Sequence, residues 1–126
     1  DGLEHYVLSK GKFNIKKSVR VRVISVYIKN GIEKLNNNLY LSSIKYLSKF
    51  NNFALIVIKN QSSKIINDEN IKSTNILRYY GIGAQIIKDF KIKNMILVSR
   101  SKKKIIGLDG YGIKITKQEI IRWKKN

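Results

Sequence analysis

The chain of 126 residues is the size of one compact domain, able to bury about two thirds of its unfolded surface, which excludes a second full domain. It has no cysteine and a single histidine, His5, which removes disulfides, thiolate metal sites, thiol nucleophiles and most metal or triad chemistry. Its 26 Lys and Arg against 8 Asp and Glu give a net charge of +18, which attracts polyanions, although 21 of the 26 are Lys and the Ile, Lys and Asn excess has the look of codon bias.

In chain order, residues 19–28 (V-R-V-R-V-I-S-V-Y-I) alternate and are β-branched, which predicts a strand with Val19, Val21 and Val23 on one face. Residues 39–50 space Leu39, Ser43, Tyr46, Leu47 and Phe50 along one helical stripe between asparagine clusters. The continuous apolar run F-A-L-I-V-I at 53–58 predicts a strand buried on both faces. Residues 59–74 are polar without a period and read as a surface loop. A second helix is expected over 80–90, with Ile82, Ile86, Ile87 and Phe90 on its apolar face, followed by a strand at 95–99. Residues 107–112 (G-L-D-G-Y-G) are turn-rich, and Ile113 and Ile115 flank Lys114 in a last short strand. Strands alternating with helices at this spacing predict an α/β domain with a mixed sheet and flanking helices.

Few residues suggest chemistry by themselves. Gly81-x-Gly83, read at a helix start, either approaches a phosphate or allows close helix packing, and the absent third glycine favours packing. Lys102, Lys103 and Lys104 after Ser99, Arg100 and Ser101 form either an anion pocket at a strand end or a solvated charge run. His5 has no evident carboxylate partner, and Trp123 reads as packing for a terminal segment rather than a base-stacking platform. No apolar stretch approaches the roughly 20 residues of a membrane span. No membrane partner and a cytoplasmic location are therefore expected, and the start at Asp1 points to a fragment or excised domain.

The C-terminal half carries a more specific signal. Arg78 with Y-Y-G-I-G-A-Q-I-I-K-D-F, then N-M-I-L-V-S at 94–99, Lys103-Lys104 and G-L-D-G-Y-G-I at 107–113, resembles the GTP cyclohydrolase II domain of riboflavin biosynthesis. E-H-Y-V-L-S-K-G at 4–11 is similar to that family's opening strand, and Arg22-Val23 with Ser25 to the strand that approaches its zinc. The resemblance implies a catalytic zinc on three cysteines, whose places fall here on Tyr27, Asn38 and Tyr40. It also implies that the guanine-reading loop falls on residues 59–64, where Gln61 takes the place of a carboxylate. Arg78 corresponds to the family's catalytic arginine, with Ile76 in place of a carboxylate two residues earlier. Ser99 and Lys104 correspond to nucleotide contacts, and together with Arg100 they are the expected nucleotide or anion-binding residues.

These matches imply a degenerate domain with no metal ligands and no cofactor, acting structurally or as a weak binder of nucleotide or phosphate. A fused or associated 3,4-dihydroxy-2-butanone 4-phosphate synthase domain and a homodimer are the partners the resemblance implies. Two alternatives stay open: a GTP cyclohydrolase II that still opens the imidazole ring of GTP, and a basic nucleic-acid-binding module, which a clustered Lys and Arg face with exposed aromatics favours.

Overall fold

The computed structural model describes residues 5–13, 16–29, 32–34, 37–60, 73–100 and 108–121. Among them the elements run β1 (Tyr6–Lys10), β2 (Val19–Lys29), β3 (Ile32–Lys34), α1 (Asn37–Leu47), β4 (Phe53–Asn60), α2 (Ser73–Asp89), β5 (Asn94–Ser99), a 3-10 turn (Leu108–Tyr111) and β6 (Lys114–Ile120). The six strands form one sheet in the order β1-β4-β2-β5-β6, with β3 paired to the far end of β2. β4, β2, β5 and β6 are parallel, whereas β1 lies antiparallel to β4 and β3 antiparallel to β2. The mixed α/β sheet with flanking helices is as the sequence predicts.

Connectivity explains why the helices lie on opposite faces. The step from β2 to β4 moves one way along the sheet, and the step from β4 to β5 moves back across β2. Right-handed crossovers in opposite directions must leave α1 and α2 on opposite faces. The core divides accordingly. On one face Val19, Val21 and Val23 pack with Ala54, Ile56, Ile58, Met95 and Leu97 against Ala84 and Ile87 of α2. On the other, Ile24, Phe53, Leu55, Val57 and Val98 pack with Ile121 against Leu47 of α1. β4 is thus buried on both faces, which is why its sequence shows no alternation.

Four segments differ from the sequence reading, one of them β6, which runs on to Ile120. β3 was not expected, although Asn30-Gly31 between Lys29 and Ile32, which pair across it, is a strong hairpin signal. α2 begins at Ser73, so Gly81 and Gly83 lie in the helix interior and not at its start. A Cβ on Gly83 would meet Val23 and Ile58 at 3.7 to 3.8 Å, which is close packing against the sheet and not a phosphate cradle. The polar segment 59–74 is not all loop, since Lys59 and Asn60 end β4 and Ser73 and Thr74 begin α2.

Two turns fix the end of the molecule where the parallel strands start. Gly11 adopts φ 82°, and a Cβ there would collide with the carbonyl oxygen of Asn51, so only glycine lets the β1–β2 loop close onto the α1–β4 turn. α2 ends in a Schellman motif, with Lys91 N–H donating to Lys88 O at 2.9 Å and Ile92 N–H to Ile87 O at 3.3 Å. Lys91 holds the left-handed position at φ 60°, and the buried pair Ile87 and Ile92 closes the cap.

Candidate functional site

In an open α/β sheet, ligands gather outside the carboxyl ends of the parallel strands where the winding reverses. Here that place lies between β2 and β5, because α1 follows β2 onto one face and the connection after β5 returns on the other. Ser99 ends β5 there and is buried, with its carbonyl oxygen accepting the Ile121 N–H at 2.8 Å. Arg100 follows it directly and is exposed. The backbone of Arg78 belongs to the second turn of α2; its side chain lies outside the described residues, as do Lys104, Lys102, Lys103, Gln61 and Trp123. Of the four expected site residues, then, Ser99 and Arg100 are placed together, at one strand end.

Below Ser99, the structure buries Arg22, at 2% exposure, beneath α1. Its Nε donates to Ser43 Oγ and its Nη1 to the carbonyl oxygen of Val98, each at 3.4 Å. A buried guanidinium costs several kcal/mol in desolvation unless its protons find acceptors, so this contact ties β2, α1 and the end of β5 together. The alternation of V-R-V-R-V carries the signal: if the valines face one helix, the arginines must face the other.

The positions that would hold zinc do not fit it. Tyr27 pairs in β2 opposite both Asn60 and Lys34, Asn38 lies in the first turn of α1, and the half-buried Tyr40 packs against the α1-side apolar cluster. None offers the thiolate or imidazole that a tetrahedral zinc site is built from. His5 is committed elsewhere, since its Nδ1 accepts the Lys59 N–H at 3.0 Å across the β1–β4 seam. Burial chiefly, with the nearby Lys59 ammonium among the lesser causes, pushes its pKa below the usual imidazole value, so the neutral acceptor form is favoured. No group of three His, Cys, Asp or Glu residues suited to a metal occurs among the described residues.

A polar cluster of Arg20, Tyr46 and Glu119 was not anticipated. Arg20 Nε and Nη2 donate to Glu119 Oε1 and Oε2 at 2.8 and 3.1 Å, Tyr46 O–H donates to Glu119 Oε1 at 2.7 Å, and the Arg20 guanidinium stacks 3.5 Å above the Phe50 ring. The hydrogen bond from Arg20 chiefly holds the Glu119 carboxyl below its usual pKa, while burial, then the hydrogen bond to Glu119, raises that of Tyr46. Arg20 and Glu119 are 99 residues apart, so no local pattern could have paired them. The cluster clamps β2, α1 and β6.

Fold and strand-end residues define an open α/β domain whose described residues carry a hydroxyl and a guanidinium at the winding reversal but no metal-donor set. The sequence model of the GTP cyclohydrolase II family matches residues 37–119, more than half of the chain, and the chain belongs to that family. Among curated relatives, it is 50% identical over 42 residues to riboflavin biosynthesis protein RibBA of Bacillus subtilis, covering 33% of this chain and 11% of that protein. It is 31% identical over 107 residues to the 3,4-dihydroxy-2-butanone 4-phosphate synthase of Sulfurospirillum multivorans, covering 82% of this chain and 27% of the relative. RibBA of Aquifex aeolicus is 38% identical over 50 residues, covering 40% of this chain and 12% of that protein. The matched segments thus span about a tenth to a quarter of these relatives. No helix among the described residues is long and apolar enough to cross a membrane.

Proposed function

We propose that this domain is a non-hydrolytic member of the GTP cyclohydrolase II family that serves riboflavin biosynthesis structurally, beside a 3,4-dihydroxy-2-butanone 4-phosphate synthase domain, and keeps a weak anion site. The observation that carries this reading is the filling of the zinc positions: Tyr40 is spent on the apolar core, and Tyr27 and Asn38 supply no competent ligand. A domain without that donor set has no means of activating water for ring opening. The relatives' names support the partner, since one is itself a 3,4-dihydroxy-2-butanone 4-phosphate synthase whose match runs over most of this chain. Stabilising that domain or mediating a homodimer is the role left to the fold.

The anion site consists of Arg78, Ser99, Arg100 and Lys104. It is favoured by the placement of Ser99 and Arg100 at the end of β5, where α/β sheets receive phosphates. With Gln61 in place of a carboxylate, charge and not base recognition supplies the affinity, so GTP and ATP bind alike within about tenfold, and weakly. Elemental analysis of the chain purified from zinc-supplemented cells, with calorimetric titration by GTP and ATP at low salt, tests the reading. It expects no stoichiometric zinc and salt-sensitive binding without preference; about one zinc per chain, or strong selectivity for GTP, contradicts it.

A further inference from the structure

The end of the molecule opposite Ser99 gathers charge in a way that the riboflavin-pathway reading does not use. There the starts of β2, β4, β5 and β6 meet the C-terminal ends of α1 and α2. Lys12 and Lys17 of the β1–β2 loop, Lys88 at the end of α2, Lys91 and Lys93 of the turn before β5, and Lys114 at the start of β6 are all exposed there. They belong to one surface. The Lys114 N–H donates to Lys93 O at 2.8 Å, and the rings of Phe13 and Phe90 meet at 6.1 Å between centroids, bringing the β1–β2 loop against the end of α2. Phe90, next to Lys91 in the chain, is 38% exposed at this end. Asp89 is the acidic side chain described at this end, where Gln85 donates to it at 3.2 Å.

We infer that this face binds single-stranded nucleic acid, with the lysines neutralising phosphates and the exposed Phe90 face, backed by Phe13, stacking a base. Lysines at a helix C-terminus complement the helix dipole, which accounts for Lys88 but not for Lys12, Lys17 and Lys93, which lie on connections, or for Lys114, which opens β6. Codon bias puts lysine at any exposed position; it does not account for an exposed phenylalanine, Phe90, at the same end. Within a Debye length of about 10 Å such charges act on a polyanion together. Lysine contributes a point charge rather than the planar fork that reads base edges, so binding is independent of sequence and steeply salt-dependent. An aromatic face is what separates a single-strand platform from a merely cationic surface.

Fluorescence anisotropy with a labelled oligonucleotide of about 15 nucleotides, a length suited to single-strand sites, tests the inference, with heparin and poly-glutamate as base-free polyanions. Log K should fall linearly with log salt, with a slope of roughly −0.7 for each phosphate neutralised. Replacing Lys88, Lys93 and Lys114 together with Gln should lower affinity at least tenfold and flatten the slope by about 2. Phe90→Ala should weaken the oligonucleotide several-fold and leave heparin unchanged, while circular dichroism shows both variants folded. Three outcomes overturn the inference: no binding at low salt, affinity unaffected by the triple substitution, or a Phe90→Ala variant that binds oligonucleotide as the parent does. Poly-glutamate bound as tightly as the oligonucleotide also overturns it, and assigns the face to acidic proteins.

Discussion

Glu119 shows how one carboxylate can hold three elements by accepting three hydrogen bonds. It accepts two hydrogen bonds from Arg20 of β2 and one from Tyr46 of α1, and Lys117 Nζ lies 3.7 Å from its outer oxygen. The carboxylate and guanidinium are largely screened from water, with side-chain exposures of 13% and 22%, so the pair counts for more than an ordinary surface salt bridge. Glu119→Ala leaves Arg20 without its acceptors, and the expected loss is about 1 to 3 kcal/mol by chemical denaturation. Because the folded-state pKa of Glu119 is depressed, its contribution is fully present above the unfolded carboxyl value of about 4.5 and fades as pH falls through the folded value. Glu119→Gln should therefore flatten the acid limb of the stability curve below about pH 4.5. An unchanged acid limb would mean that the clamp contributes no proton linkage.

Glycines separate two kinds of element contact. Gly11 needs its positive φ and has no room for a Cβ, so Gly11→Ala should cost more than about 1 kcal/mol and loosen the β1–β2 loop from residues 51–52. Gly83 has helical neighbours on both sides and ordinary contacts at its Cβ position, so Gly83→Ala should be neutral or raise stability by up to about 1 kcal/mol. Thermal unfolding of the two variants reads both expectations, and a severe loss at Gly83 would restore the view that this glycine serves a backbone contact. How much of the fold was legible follows from the same local physics. β2 announced itself by alternation, β4 by unbroken apolarity and α1 by its Ser43 and Leu47 stripe, because each is half or wholly buried against a neighbour close in sequence. The first half of α2 was missed because its apolar residues crowd together at 76–77 and 79–80 and give no 3.6-residue period before Ile82. The end of β6 was missed because its residues beyond Ile115 are mostly polar and pair through β5. At the site, the family motif pointed to Ser99 and the strand-end charge run to Arg100, whereas the V-R-V-R-V alternation signals a buried Arg22 only once α1 is known to cover that face.

At the scale of the molecule, the strand-end site and the exposed lysine face lie at opposite ends of the sheet. The carboxyl end of β5 holds Ser99 and Arg100, and the opposite end holds the Phe13 and Phe90 pair with the exposed lysines. Both faces of the sheet between them are filled by apolar clusters and clamped by Arg22 and Arg20. Such a scaffold can outlive the loss of its chemistry, because packing constrains the core while catalysis depends on a few ligands at its rim. Formate release tests this most directly: the purified chain is incubated with GTP, zinc and magnesium, and formate is measured against a protein-free blank. The expected result is no formate above the blank; formate released at a rate proportional to protein and abolished by Arg78→Ala would contradict the account.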